Sequence, residues 1–221
     1  MAYFTQETTS FLKQLKENNN RDWFNENKSR YITYVKDPFE VFVGDLIEAM
    51  NPYFESLPIA PKDAIFRIYK DVRFSKNKTP YKTNISAIIS PGGRKDKTFP
   101  GVYLEITSDD MRIYSGLYQL DTKQLLNVRS HISHNMEEFN QLISGRKFIN
   151  TFTDIKGEKN KRIPKEFDDD AVKQPLLFNK QFYFYTILPV ATIYEDDIIK
   201  KITDTFQVAK PVSEFLYEGL F

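Results

Sequence analysis

The chain has 221 residues, 41% of them hydrophobic and 15% aromatic, and a formal net charge of +1. That length is enough for one domain with a sizeable core, and the composition excludes the apolar-poor, highly charged signature of disorder. With no cysteine there are no disulfides, thiolate nucleophiles or cysteine-based zinc or iron–sulfur sites, and no apolar run reaches the ~18–20 residues of a bilayer span.

The first twenty residues lack the basic-then-apolar order of a secretory leader, so a cytoplasmic, reducing setting with no membrane partner is expected. Phe11, Leu12 and Leu15 recur at helical spacing behind the cap candidates Thr8, Thr9 and Ser10. This helix should stop in Asn18-Asn19-Asn20, because asparagine disfavours helix interiors and tolerates the left-handed conformation. A second helix carries Trp23, Phe24, Asn27, Lys28 and Tyr31. A third opens at Asp37-Pro38, an N-cap followed by proline in the first turn, and bears the stripe Phe39, Phe42, Leu46, Ile47 and Met50. Strands are expected at residues 65–69, 84–90, 102–107 and 111–117, the last two joined by the hairpin link Ser108-Asp109-Asp110. Asp121 with Gln124 three residues on resembles a capping box, ahead of Leu125, Leu126, Val128 and Ile132. A further helix runs from Ser133 towards Gly145, whose glycine suits a C-cap. Residues 147–175 read as irregular, 182–188 as a strand, and 196–208 and 211–220 as two helices. Helices at both ends with strands grouped between them predict a single α+β domain over residues 1–221. Its mainly antiparallel central sheet is flanked by N-terminal and C-terminal helices.

The near-neutral total hides an uneven distribution. Between Arg67 and Lys97 nine cations face only Asp71 and Asp96, a local charge of +7 that leaves −6 for everything else. Basic regions of this kind attract phosphates, carboxylates or nucleic acid. Within residues 65–83, Phe66, Ile68, Lys70 and Val72 share one parity and Arg67, Tyr69, Asp71 and Arg73 the other, so an extended backbone places Arg67, Asp71 and Arg73 on one face. From that face Asp71 can orient one or both guanidinium forks as structural support, in a pair expected to be buried. The loop that follows adds the hydroxyls of Ser75 and Thr79 and the mobile cations Lys76, Lys78 and Lys82.

The run Phe66–Lys82 matches the pattern Phe-Arg-Ile-x-[Arg/Lys]-Asp-x-Arg-Phe-Ser-Lys-x-Lys-x-Pro-Tyr-Lys, and by it the chain resembles a family of uncharacterised bacterial and fungal proteins, a domain of unknown function. Further matching pieces are Asn19-Asn20-Arg21-Asp22-Trp23-Phe24, Gly116-Leu117-Tyr118 and Lys161-Arg162-x-Pro164-Lys165. The chain departs from that pattern at Asn77, at Glu166 and at Gln174-Pro175. The resemblance covers nearly the whole chain and implies membership and fold, with no reaction, cofactor or catalytic residue attached.

Several other groupings read more simply as structure. His131 and His134 stand three apart near Glu137 and Glu138, but nothing else supports a metal there, and none is expected. Asp168-Asp169-Asp170 and Glu195-Asp196-Asp197 suit turns and helix N-termini. No phosphate-binding glycine loop, dinucleotide fingerprint or Gly-x-Ser-x-Gly elbow is present, and no cofactor is expected. Three functional readings remain. The first is a binding module, or an enzyme of unassigned reaction, for a small anionic or phosphorylated ligand held by Arg67, Arg73, Ser75, Lys78, Lys82 and Arg129. The second is a nucleic-acid-associated protein using the same stretch with Arg94, Lys95 and Lys97, where Tyr69, Phe74 and Tyr81 could stack on bases. The third is a scaffold or interaction domain whose charges form a structural ion network.

Overall fold

The burial of Phe11, Leu12 and Leu15 against neighbouring aromatic rings winds the first helix, α1 (Gln6–Glu17), in a computed structural model that describes residues 2–95 and 98–221. The three asparagines after it do separate jobs. Asn18 is the C-cap of α1, and Asn20 caps α2 (Arg21–Glu26) by accepting from Trp23 N at 2.9 Å. Asn19 pairs with both backbone groups of Tyr81, its Nδ2 donating to the carbonyl at 3.0 Å and its Oδ1 accepting from the amide at 3.1 Å. Phe24 from α2 then stacks on the Tyr81 ring at 4.0 Å.

The helix expected to run from Trp23 to Tyr31 is broken at Asn27, whose side chain turns back to donate to the Trp23 carbonyl, giving α2 and α3 (Lys28–Tyr31). The expected N-cap at Asp37 is also corrected. A wide helical turn over Ile32–Lys36, anchored by buried Val35, leads straight into α4 (Asp37–Met50), and Asp37 itself has helical dihedrals. Pro38 has no amide to donate to the Tyr34 carbonyl four residues back, and that carbonyl accepts instead from the Thr8 hydroxyl at 2.7 Å. After the short α5 (Pro61–Ala64) come β1 (Ile85–Ile89), β2 (Val102–Ile106) and β3 (Asp110–Leu117). Thr107 closes the β2–β3 turn, its hydroxyl accepting from the Asp110 amide at 3.0 Å.

Between β3 and β4 (Phe182–Pro189) lie α6 (Thr122–His134), α7 (Met136–Ser144), α8 (Arg146–Phe152) and α9 (Asp168–Lys173). The capping box at the start of α6 forms, Asp121 Oδ1 accepting from Gln124 N at 2.8 Å and Gln124 Oε1 from Asp121 N at 3.0 Å. Residues 147–175 are more ordered than expected. α8 buries Phe148 and Phe152 and α9 buries Ala171, too few apolar positions for the sequence to show a period. The two helices expected at the C-terminus are one, α10 (Ile198–Glu218), with Pro211 inside it. Its buried stripe Ile198, Ile202, Phe206, Ala209, Val212, Phe215 and Leu216 runs through the proline at helical spacing. Each large side chain contributes about 1.5–3 kcal/mol of burial, so together they exceed the ~3 kcal/mol interior cost of proline.

The fold is therefore α+β, with a four-stranded antiparallel sheet in the order β1-β2-β3-β4. Two compact units are distinguished. The first comprises Met1–Arg94, Tyr103–Ile113 and Ile187–Thr203, and the second Lys95–Val102, Tyr114–Thr186 and Asp204–Phe221. The first unit has an aromatic core in which Phe4 meets Phe42 edge-on at 5.2 Å. The second packs Val128, Ile132, Phe139, Phe148, Phe184, Phe215 and Leu216 together. Among the described residues no helix is long and apolar enough to cross a membrane.

Candidate functional site

Residues 65–70 are extended without forming a regular strand, because their partner changes midway. Ile65 bridges Ala87 of β1, whereas Tyr69 bridges Tyr81. Alternation survives this change of partner. Ile68 is buried and Phe66, Lys70 and Val72 are half-buried, whereas Arg67, Tyr69, Asp71 and Arg73 are exposed. Arg73 thus lies beyond the sheet, which does not aim it.

The loop after Val72 spends most of its polar groups on itself. Asp71 takes Arg73 in a two-point pair, Nε–Oδ1 at 3.0 Å and Nη2–Oδ2 at 2.6 Å. The Arg73 side chain and then its amide hold the Asp71 carboxyl down to about 2. The two side chains are 46% and 76% exposed, so the expectation of a buried pair does not hold. Lys78 curls back, its Nζ donating to the Val72 carbonyl at 3.0 Å. Ser75 Oγ accepts from Asn77 N, and Asn77 Oδ1 accepts from Thr79 N and Oγ1. Lys70 Nζ donates to Thr79 Oγ1 at 2.8 Å. Of the predicted anion ligands, Arg73, Ser75 and Lys78 are therefore engaged within the loop.

Arg67 and Lys82 come together elsewhere in the first unit. The Lys82 ammonium lies over the Phe66 ring at 5.2 Å. Burial pulls its pKa down, Arg67 pushes the same way, Glu105 opposes them, and Arg94 adds a weaker push down. The Arg94 guanidinium donates to the carbonyls of Asp63 and Lys62 at 3.1 and 2.6 Å. Lys97 and Asp96, which entered the basic count, lie outside the described residues.

Arg129 belongs to the second unit, on α6, and has a different environment. It is 5% exposed. Its Nε donates to the Leu177 carbonyl at 2.8 Å and its Nη2 to the Asn179 carbonyl at 3.2 Å. Among the described residues no carboxylate pairs with it, and burial alone pulls its pKa down. A guanidinium has five N–H donors, so donors remain over. Nη1 has no protein acceptor among the described residues, yet it is not sealed in the interior. Arg129 lines a cleft of about 800 Å³ together with Tyr118, Asn160, Lys180 and Gln181. The apolar wall is Leu120, Leu125, Leu126 and Pro164, and the remaining polar lining is Gln119, Asp121 and Thr122.

Two glycines let the backbone close round this cleft. Gly116 has φ +93°, and a Cβ there would stand 2.3 Å from the Phe182 carbonyl, so only glycine lets β3 lie against β4 just before Tyr118. A Cβ on Gly157 would stand 2.1 Å from the Gln181 carbonyl. Lys180 at the rim pairs with Glu158 at 3.2 Å. Tyr118 is 58% exposed, and its ring meets Tyr183 of β4 edge-on at 5.5 Å.

Of the residues lining this cleft, Tyr118, Asn160, Lys180 and Gln181 were not singled out by the sequence reading. Tyr118 lies in one fragment of the matched pattern, Gly116-Leu117-Tyr118, and Asn160 directly precedes another, Lys161-Arg162-x-Pro164-Lys165, whereas Lys180 and Gln181 lie in neither. The two histidines serve packing and local bonds. The His131 ring lies against Phe215 at 4.5 Å, and His134 Nδ1 stands 2.7 Å from the Ser130 carbonyl. Among the described residues no group of three or more histidines and carboxylates is placed to hold a metal ion.

Residues 7–215 match the model of a family described as conserved hypothetical protein (DUF2461). No curated protein matches the chain.

Proposed function

Since the chain belongs to this family of conserved hypothetical proteins, whose description carries no activity, its role has to be read from the site, and we propose that it binds a small anionic or phosphorylated ligand in the cleft lined by Arg129. One observation carries this reading. A buried guanidinium is held by two carbonyls, has no carboxylate partner and no acceptor for Nη1 among the described residues, and belongs to a residue that lines an open cleft. Taking a cation out of water costs several kcal/mol unless an opposite charge or good hydrogen bonds offset it. An oxyanion supplies both, and the planar fork of arginine suits phosphate or carboxylate. The mixed apolar and polar lining is typical of small-ligand clefts, and the volume falls within their usual range. The protein is then a binding module, or an enzyme whose reaction is unassigned.

This reading moves the centre of binding from the basic segment to Arg129. For residues 71–79 the self-paired hydrogen bonds favour a structural role, which supports the scaffold reading for that loop alone. Calorimetric titration with inorganic phosphate and small carboxylates, on the wild type and Arg129→Met, tests the proposal. Binding that Arg129→Met abolishes supports it, and binding that survives the substitution refutes it.

A further inference from the structure

We propose that the ligand of the Arg129 cleft is an anion joined to a planar aromatic ring, of the nucleoside monophosphate class, with the phosphate on Arg129 and the base against Tyr118. This rests on the anion reading above and adds to it the part of the ligand that is not charged.

The first argument is Tyr118. A tyrosine ring lining a ligand-sized cleft while 58% exposed leaves apolar area in water, which a stacked partner would remove. Its orientation is set by β-sheet neighbours. Tyr118 meets Tyr183 edge-on at an interplanar angle of 77°, and Tyr183 is followed along the same face of β4 by Tyr185, which packs on Tyr114 of β3 at 4.9 Å. Cross-strand aromatic pairs stabilise a sheet by themselves. They do not require the last ring of the row to stand over a cleft with a cation in it. An edge-to-face contact with Tyr183 covers at most one face of the Tyr118 ring and leaves the other for a further ring, and stacking on an aromatic side chain suits every nucleobase.

The second argument is the polar lining. Gln119, Asn160 and Gln181 bring three amide-bearing residues to the lining of one cleft. The Gln181 oxygen already accepts from Glu158 N at 2.9 Å, so that residue offers chiefly its amide donor, whereas Gln119 and Asn160 carry both a donor and an acceptor, the pattern on the edge of a base. Asp121 has one oxygen committed to the Gln124 amide, and its other oxygen can accept from a sugar hydroxyl.

The third argument is charge. The lining holds Arg129 and Lys180 against Asp121, and Lys180 is already paired with Glu158. With Glu158 counted the local sum is zero, so the charge available is that of Arg129 alone, the lining cation with no carboxylate partner among the described residues, which suits a single phosphate and not a triphosphate.

The test is isothermal titration of the full chain with the four nucleoside 5′-monophosphates and with ribose 5-phosphate, repeated on Tyr118→Ala and Tyr118→Phe. At least one nucleotide should bind about tenfold or more tighter than ribose 5-phosphate, in keeping with a base stacked on an aromatic ring. Tyr118→Ala should lose that advantage while keeping its affinity for ribose 5-phosphate, and Tyr118→Phe should retain it. If the wild type binds ribose 5-phosphate as tightly as every nucleotide, or if Tyr118→Ala keeps the advantage, the aromatic part is overturned and the anion reading stands. If no phosphate binds at all, the nucleotide proposal is overturned, and the anion reading falls with it only when small carboxylates also fail to bind.

Discussion

Replacing Arg129 with methionine removes the charge and keeps most of the side-chain volume, so it separates what the residue does for folding from what it does for a ligand. The folding change has two opposed parts. The variant loses two hydrogen bonds from a charged donor, to the carbonyls of Leu177 and Asn179. At about 1.5–3 kcal/mol each these amount to roughly 3–6 kcal/mol. Against that, the variant no longer buries a cation without a carboxylate partner, a relief of several kcal/mol. The net destabilisation should be no more than about 3 kcal/mol, or roughly 6–12 °C in melting temperature for a chain of this size. The ligand response should differ much more clearly. An anion at about one hundred times its dissociation constant stabilises the wild type by about 2.7 kcal/mol, or roughly 5–11 °C, and should leave Arg129→Met unmoved. Scanning calorimetry of both proteins, with and without phosphate or a nucleotide, reads both effects. An equal upward shift in the two proteins would refute Arg129 as the anchor. A variant that melts far below the expected range would show that the guanidinium chiefly holds residues 177–179 in place.

Three further outcomes follow from individual contacts. The folded-state pKa of Asp71 is depressed from 3.8 to about 2, so its pair with Arg73 contributes stability above the ordinary value and loses it as pH falls through about 2. An NMR titration of the Asp71 carboxyl should show that low midpoint, and Arg73→Ala should return it towards the ordinary value; an unchanged midpoint would discount the pair. Gly116→Ala forces a positive φ on a side chain and drives its Cβ against the Phe182 carbonyl, so it should lower the urea midpoint, with a loss of unfolding free energy of ~1–3 kcal/mol or more from backbone strain. A wild-type midpoint would mean that β3 and β4 can part there without cost. Lys82 has its folded-state pKa lowered by burial and then by Arg67, so the unfolded chain binds more protons between the two pKa values. Stability should therefore rise with pH across that alkaline window. Lys82→Met should melt no lower than wild type at neutral pH and should flatten the rise. A clear loss of stability would show that Lys82 has a favourable partner.

Much of the architecture was legible in the sequence, because local patterns wrote it. The alternation in residues 102–106 and 110–117, the capping box of Asp121 and Gln124, and the apolar stripe from Phe39 to Met50 each depend on neighbours a few residues away. The failures came where distant contacts outweighed local preference. Pro211 promised a break, and the buried stripe on both sides of it kept α10 continuous. Residues 65–69 promised a strand, and a change of partner from Ala87 to Tyr81 left two isolated bridges.

The site divides along the same line. The sequence by itself determined that residues 65–83 concentrate cations, and that Asp71, two residues from Arg73, can reach it. It could not show that Lys78 and Ser75 turn inward on their own loop, since that depends on how the chain bends after Val72. Only the tertiary structure decided that Arg129 is buried. Its acceptors, the carbonyls of Leu177 and Asn179, are 48 and 50 residues away in sequence. Backbone carbonyls are chemically alike in every residue, so no pattern of side chains marks which of them an arginine will find. A charge count finds where cations are dense, whereas the cost of burying one depends on folding having removed it from water and left it without a carboxylate partner.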